Sequence, residues 1–363
     1  MKLESLKIRN FRNISHIEMA PKPSLNLFTG DNGQGKTNLL EAIFVVAWGN
    51  SFRQANDSNL VKNGTDGYSI VVDYSNVERS LKAELSYTRD GAKRMLINRK
   101  RVGHHHKDRL RVVIFTPDDL FLIKGSPSKR RTFLDSVLRQ ISSEYNYNLE
   151  NYMTILKKRN IFLKREQTSI KSFKIINDLF VENAARVIIQ RLNFINILED
   201  ISKSIDNQIN ETQAQLKMKY ALSFIIESDK INMDVLQEAL YQHIEENSGE
   251  EIRRKKTLVG PHLEDINLYY GNQPAKNYAS QGQQRNIAIS MKLAEVHAFH
   301  KIMGYYPILL LDDVLSELDE KKKVRLIAYL RQSEFQTFLT TVNTDGVETN
   351  GIPQYRIEHG QLT

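Results

Sequence analysis

Eight consecutive residues, Gly30-Asp31-Asn32-Gly33-Gln34-Gly35-Lys36-Thr37, have the spacing G-x-x-x-x-G-K-[ST], which holds the phosphates of a nucleotide. The glycines let backbone N–H groups turn inward around anionic oxygens. The helix expected next presents its positive N-terminal end to the same anions. Lys36 would reach the β- and γ-phosphates of ATP, and Thr37 would hold Mg2+. The bland alternative is a glycine-rich turn, since the pattern arises by chance in roughly 1% of chains this long. The flanks decide for the nucleotide: residues 25–29 read as an apolar strand and 38–48 as a helix apolar nearly all round, the order strand–loop–helix that such a loop requires.

A second constellation lies far along the chain. Ile308-Leu309-Leu310-Leu311-Asp312-Asp313 reads as a buried strand ending in two carboxylates. Asp312 is expected to share Mg2+ with Thr37, on a strand lying beside the phosphate-loop strand. Asp313 points elsewhere and is placed to polarise an attacking water. A strand merely stopped by turn-forming Asp is the rival reading, and the phosphate loop weighs against it. Ser280-Gln281-Gly282-Gln283-Gln284-Arg285 opens a helix shortly before this strand. Ser at an N-cap beside a glycine makes another anion site, although an isolated Ser-x-Gly is more often an ordinary cap.

Other elements must position these groups. Residues 3–8, 69–74, 81–87 and 94–97 read as strands, with Asp90-Gly91 as a hairpin turn. Residues 111–116 form a strand stopped by Pro117. From about 127 to 248 the chain reads as helices, without strand alternation. Residues 281–303 and 320–331 are expected helices, 307–311 and 335–340 strands, and 355–362 a last hairpin turning at His359-Gly360. The expected fold class is therefore α/β, with a head split between 1–125 and 250–363 and a mostly helical inserted lobe over 126–249.

Composition bounds the function. The 363 residues are 40% hydrophobic and 26% charged and contain no cysteine, which excludes disulfides, zinc–thiolate sites and cysteine nucleophiles. The first residues show no apolar leader, and no apolar run reaches the ~18 residues of a membrane span, so a cytoplasmic location is expected. The net charge of +8 permits contact with phosphates. Basic residues cluster at Lys93, Arg94, Arg99, Lys100, Arg101, Lys107, Arg109 and Arg111, at Lys129, Arg130 and Arg131, at Lys157, Lys158, Arg159, Lys164 and Arg165, and at Arg253, Arg254, Lys255 and Lys256. Solvated faces account for at least half of such runs. Consecutive histidines rarely converge on one ion, so no metal is assigned to His104-His105-His106.

The order of motifs is similar to that of ABC-type ATPase heads, specifically the SMC-like DNA-repair branch, and within it the RecF family. The supporting segments include Leu6-Lys7-Ile8-Arg9-Asn10-Phe11-Arg12-Asn13, Asn50-Ser51-Phe52-Arg53, Phe115-Thr116-Pro117-Asp118-Asp119-Leu120, Lys124-Gly125-Ser126-Pro127 and Val259-Gly260-Pro261-His262. They span nearly the whole chain. The resemblance implies an ABC-type P-loop ATPase head with ATP and Mg2+ as cofactors. Lys36 and Asp313 become catalytic, and Arg12 joins residues 30–37 at the nucleotide. Ser280, Gln281, Gly282 and Gln283 become the signature segment and Asp319 part of the D-loop, both acting on the site of a second copy. ATP then holds a homodimer that slow, DNA-stimulated hydrolysis releases. The implied setting is recombinational repair, replication-fork maintenance and SOS induction, with single-stranded, duplex or gapped DNA and RecR- and RecO-like repair proteins as partners. Arg53, Arg99, Lys100, Arg101 and Lys107 are the expected DNA contacts, made without sequence readout. Two departures stand out. The usual catalytic Glu is Asp313, and Thr341-Val342-Asn343 stands where a switch histidine is expected. A transporter's nucleotide-binding subunit and an ATP-switched scaffold with little turnover share the motifs and remain alternatives.

Overall fold

The structure, a computed structural model, describes residues 1–363 apart from 104–105, 165–169, 211–214, 229 and 347. The chain divides into two units, one of residues 1–120, 204–212 and 281–363, the other of 121–203 and 213–280.

In the first unit an antiparallel sheet runs in the order Ile14–Met19, Lys2–Phe11, Gly67–Ser75, Ser80–Thr88, Lys93–Ile97, Lys100–Arg101. Its strands alternate: Leu6, Ile8, Ile70, Val72, Ala83 and Leu85 are buried to at least 99%, while their neighbours face out, the period-two pattern of a sheet covered on one face. The second sheet is mostly parallel, in the order Gln361–Leu362, Gln354–Glu358, Leu25–Thr29, Thr337–Thr340, Ile308–Leu311, Val112–Phe115. Ile308–Leu311 is buried at every position, because helices must cover both faces of a parallel sheet. The helix Lys36–Trp48 is likewise buried almost all round.

One expectation fails here. The acidic strand is not the neighbour of the phosphate-loop strand, because Thr337–Thr340 lies between them, in register Leu309↔Thr337 and Leu339↔Leu27. A pair of adjacent strands is the simplest way to bring Asp312 to Thr37. The intervening strand instead adds a hydroxyl at the junction.

The second unit contains the helices Pro127–Ile141, Ser143–Lys164, Met233–Glu246 and Ser248–Arg254, and most of Ile170–Asn210. It is not purely helical. Leu216–Ala221 pairs antiparallel with Asp265–Tyr270, which pairs with Gln273–Pro274. That pairing draws residues 250–280 into this unit, where the sequence places them with the head. The alternation was present, with Leu216 and Met218 buried and Lys217 and Lys219 turned away, but the surrounding helical composition masks it. Arg191 anchors the core of this unit. It donates to Asp135 (2.7 Å), to the Tyr220 hydroxyl (3.1 Å) and to the Pro261 carbonyl (2.8 Å), so a buried cation has a partner on every side.

Candidate functional site

The strand Leu25–Thr29 ends at Gly30, whose φ of 145° and that of Gly33 (80°) and Gly35 (116°) are conformations that L side chains rarely adopt. The turn they build lets the helix begin at Lys36. A cleft of about 220 Å3 opens there, lined by Asn32, Gly33, Gly35, Lys36, Thr37, Asn38, Arg53, Asp312, Asp313 and Thr340. That volume lies below the roughly 300 Å3 at which ligand pockets begin, so it suits the phosphate end of a nucleotide with its metal.

Lys36 is buried, and its ammonium donates to the carbonyls of Gly30 (2.5 Å) and Asp31 (2.9 Å). Burial pushes the Lys36 ammonium below its ordinary value, while the Asp313, Asp312 and Asp31 carboxylates pull it back up. The Thr37 hydroxyl donates to Asp312 Oδ1 (2.8 Å), and the Thr340 hydroxyl donates to the same oxygen (2.9 Å). Burial raises the Asp312 carboxyl, against these two hydrogen bonds and Arg53, which lower it. A hydroxyl and a carboxylate oxygen side by side form the hard oxygen set that Mg2+ takes beside substrate phosphates. Asp313 adopts φ 50°, a strained conformation for a non-glycine residue. Its N–H is held by Thr340 Oγ1 (3.0 Å). Its Oδ1 is buried with no hydrogen-bond partner among the described residues, an acceptor whose desolvation is offset only by a donor such as water. The site thus fits both a metal and a water nucleophile.

Other expected residues fall elsewhere. Arg12 does not line the cleft. Its guanidinium is bidentate on Glu41 (2.9 and 3.0 Å) and donates to the Asn59 carbonyl (3.1 Å), because Glu41 is fully buried and requires a cation. Arg53, one of the expected DNA contacts, lines the cleft and donates to Asn38 Oδ1 (3.1 Å). Gln34 faces away from the cleft: its carbonyl accepts from Gly360 N–H (2.9 Å) and Asn13 Nδ2 (3.1 Å), and its Oε1 accepts from His359 N–H (2.7 Å). Ser280 precedes the helix Gln281–Met303, and Gly282 has open space where a side chain would be. None of Ser280, Gln281, Gly282 and Gln283 is among the residues lining the cleft. Asp319 caps the helix Glu320–Gln332 by accepting from Lys322 N–H (3.0 Å), and Ser316 Oγ donates to the Asp313 carbonyl (2.8 Å).

The basic clusters separate into two kinds. Arg159 is fully buried on Glu251 (2.5 Å), Arg130 pairs with Asp265 (2.7 Å), Arg131 donates to the Glu264 carbonyl (2.6 Å), and Arg109 and Arg111 are buried. Arg253 and Arg254 pair with Glu250. Arg159, Arg130, Arg131, Arg109 and Arg111 are thus taken up by the fold, whereas Arg253 and Arg254 are exposed. Arg94, Arg99, Lys100, Arg101 and Lys107 are exposed. Asn98 and Arg99, both at positive φ (48° and 66°), form the two-residue turn of a hairpin. His104, His105 and Arg165 lie outside the described residues.

Thr340 and Asn13 are the residues that motif reading misses. A Thr closing a buried apolar strand next to the acidic one was the available signal for the first; nothing local marks the second.

A family model described as the RecF/RecN/SMC N-terminal domain matches residues 2–359. The DNA replication and repair protein RecF of Staphylococcus carnosus is 36% identical over 376 residues, covering 100% of both chains. Among solved structures, the recombination mediator protein RecF with ATP, of the RecFOR pathway, superposes with a TM-score of 0.87 at 30% identity, over 100% of this chain and 97% of that one. The Smc head domain from Pyrococcus furiosus, bound to the C-terminal domain of ScpA, gives 0.55 at 15% identity over 100% and 95%, a likeness of fold alone. The fold is that of an ABC-type ATPase head with an inserted, largely helical region.

Proposed function

This chain belongs to the RecF family within the RecF/RecN/SMC N-terminal-domain proteins, and from that membership we propose an ATP-switched, DNA-binding protein of recombinational repair and replication-fork maintenance. The observation that carries the proposal is the divided constellation. Phosphate loop, Thr37, Asp312 and Asp313 share one cleft, while Ser280 to Gln283 are not part of its lining. A signature segment that does not line its own cleft would cap the γ-phosphate bound to a second copy.

On this reading Lys36 and the loop amides hold the β- and γ-phosphates. Thr37 and Asp312 hold Mg2+, which supplies charge neutralisation when bound. Asp313, held by Thr340 at its backbone, orients the attacking water and accepts its proton. Ser280 and Gly282 of the second copy close the site. Because Asp313 is one methylene shorter than Glu, turnover is slow, as suits a switch. The exposed hairpin tip at Arg99, Lys100 and Arg101, with Lys107, contacts DNA phosphates without reading bases, and RecR- and RecO-like proteins are the proposed protein partners. The RecF relatives support this over a transporter subunit.

The test is self-association. With ATP and Mg2+ the protein, and more persistently its Asp313→Asn variant, elutes from a sizing column as a dimer, and duplex DNA raises its ATP turnover. Only monomer for both proteins would defeat the reading.

A further inference from the structure

The hairpin Gln354–Glu358 to Gln361–Leu362 does more than close the sheet. Glu358 pairs with Gln361, so His359-Gly360 is a two-residue turn. Both residues are left-handed, with φ of 50° and 76°, the geometry of a type I′ turn. Their two N–H groups point at a single residue, Gln34. The Gly360 N–H meets the Gln34 carbonyl (2.9 Å), and the His359 N–H meets its side-chain Oε1 (2.7 Å).

The hairpin presses on the loop at its first residue too. A Cβ on Gly30 would stand 2.4 Å from the Ile357 carbonyl oxygen. From the opposite strand turn, Asn13 completes the enclosure. Its Nδ2 donates to the Gln34 carbonyl (3.1 Å), and a Cβ on Gly35 would lie 2.8 Å from its Oδ1. Gly360 itself has no room to change, since a Cβ there would stand 2.5 Å from the Asn13 carbonyl oxygen.

A phosphate loop works by turning its N–H groups inward, which forces carbonyls outward. An outward carbonyl without a donor is an incentive to flip the peptide and lose the cradle. We infer that His359-Gly360 is a positioning element of the nucleotide site, holding Gln34 so that the loop is set for phosphate before ATP arrives. Neither residue is among those lining the cleft. The inference rests on the ATP-binding reading above and adds a part of the chain more than 300 residues away.

A cradle that grips substrate and transition state alike sets KM and leaves kcat in place. Gly360→Ala puts a methyl against backbone at a left-handed position. It is expected to raise KM for ATP and the Kd of a fluorescent ATP analogue with Mg2+ by roughly tenfold, with kcat within twofold and a lowered melting temperature of the nucleotide-free protein. Gln34→Ala removes only the acceptor for the His359 N–H and is expected to raise KM roughly threefold by the same route. If Gly360→Ala fails to fold, Gln34→Ala decides. KM within error of wild type for every folded variant, or a fall in kcat at unchanged KM, would overturn the inference. Failure of the wild-type protein to bind ATP would overturn the function reading instead.

Discussion

At the scale of single residues, the hydroxyl of Thr340 carries more than its size suggests. It donates to Asp312 Oδ1 and accepts from Asp313 N–H, so one atom orients the metal ligand and the backbone of the proposed base. It is fully buried. Thr340→Val keeps the shape and removes both hydrogen bonds, which leaves a buried carboxylate under-satisfied, at about 1–3 kcal/mol. The hydroxyl lowers a carboxyl that burial raises, so its loss moves Asp312 further up. Metal requires the ionised form, and protons therefore compete earlier as pH falls. Titrating Mg2+ against ATP turnover should show Thr340→Val needing roughly tenfold more metal, the gap widening from neutral to mildly acidic buffer, and Thr340→Ser restoring wild-type behaviour. A gap that is independent of pH would assign Thr340 to packing alone. No motif in the sequence names this residue, because its role depends on which strand lies between two others.

At the scale of elements, the basic runs show where charge alone misleads. Arg159 reads in the sequence like its neighbours Lys157 and Lys158. In the fold it is sealed on Glu251, Thr257 and Asn177 and lies 5.0 Å from the Phe180 ring centroid. Removing one partner of such a pair strands the other charge and costs about 3–5 kcal/mol. The exposed hairpin tip carries no such penalty. Thermal melts and DNA titrations against salt should therefore separate the two. Arg159→Ala lowers the melting temperature sharply. A triple change of Arg99, Lys100 and Arg101 to Ala leaves it in place and reduces the salt slope of DNA affinity by about 1 for each phosphate the hairpin no longer neutralises. Equal salt slopes would remove the hairpin from the DNA surface. The elements themselves were largely legible, since apolar runs on either side of the glycines mark the strand–loop–helix at 25–48, and periodicity marks the helix at 320–331. The strand Leu216–Ala221 was not, because its partner Asp265–Tyr270 lies beyond two helices, and pairing across such a distance leaves only a short alternation to read.

At the scale of the whole molecule, the segment Ser280 to Gln283 is legible by its wording, whereas its absence from the cleft lining is a matter of three-dimensional arrangement. The same arrangement governs how the protein is made. The phosphate-loop strand Leu25–Thr29 is flanked by Thr337–Thr340 and Gln354–Glu358, both synthesised more than 300 residues later. At ribosomal speeds of about 5–20 residues per second, the loop waits roughly 15–60 s with its strand unpaired on both edges. An open apolar edge is a template for wrong partners. Nascent chains arrested before residue 337 should fail to retain an ATP analogue and should associate with chaperones, while chains that include both flanking strands bind it. Nucleotide capacity would then arrive late and all at once, when the two flanking strands close on the loop.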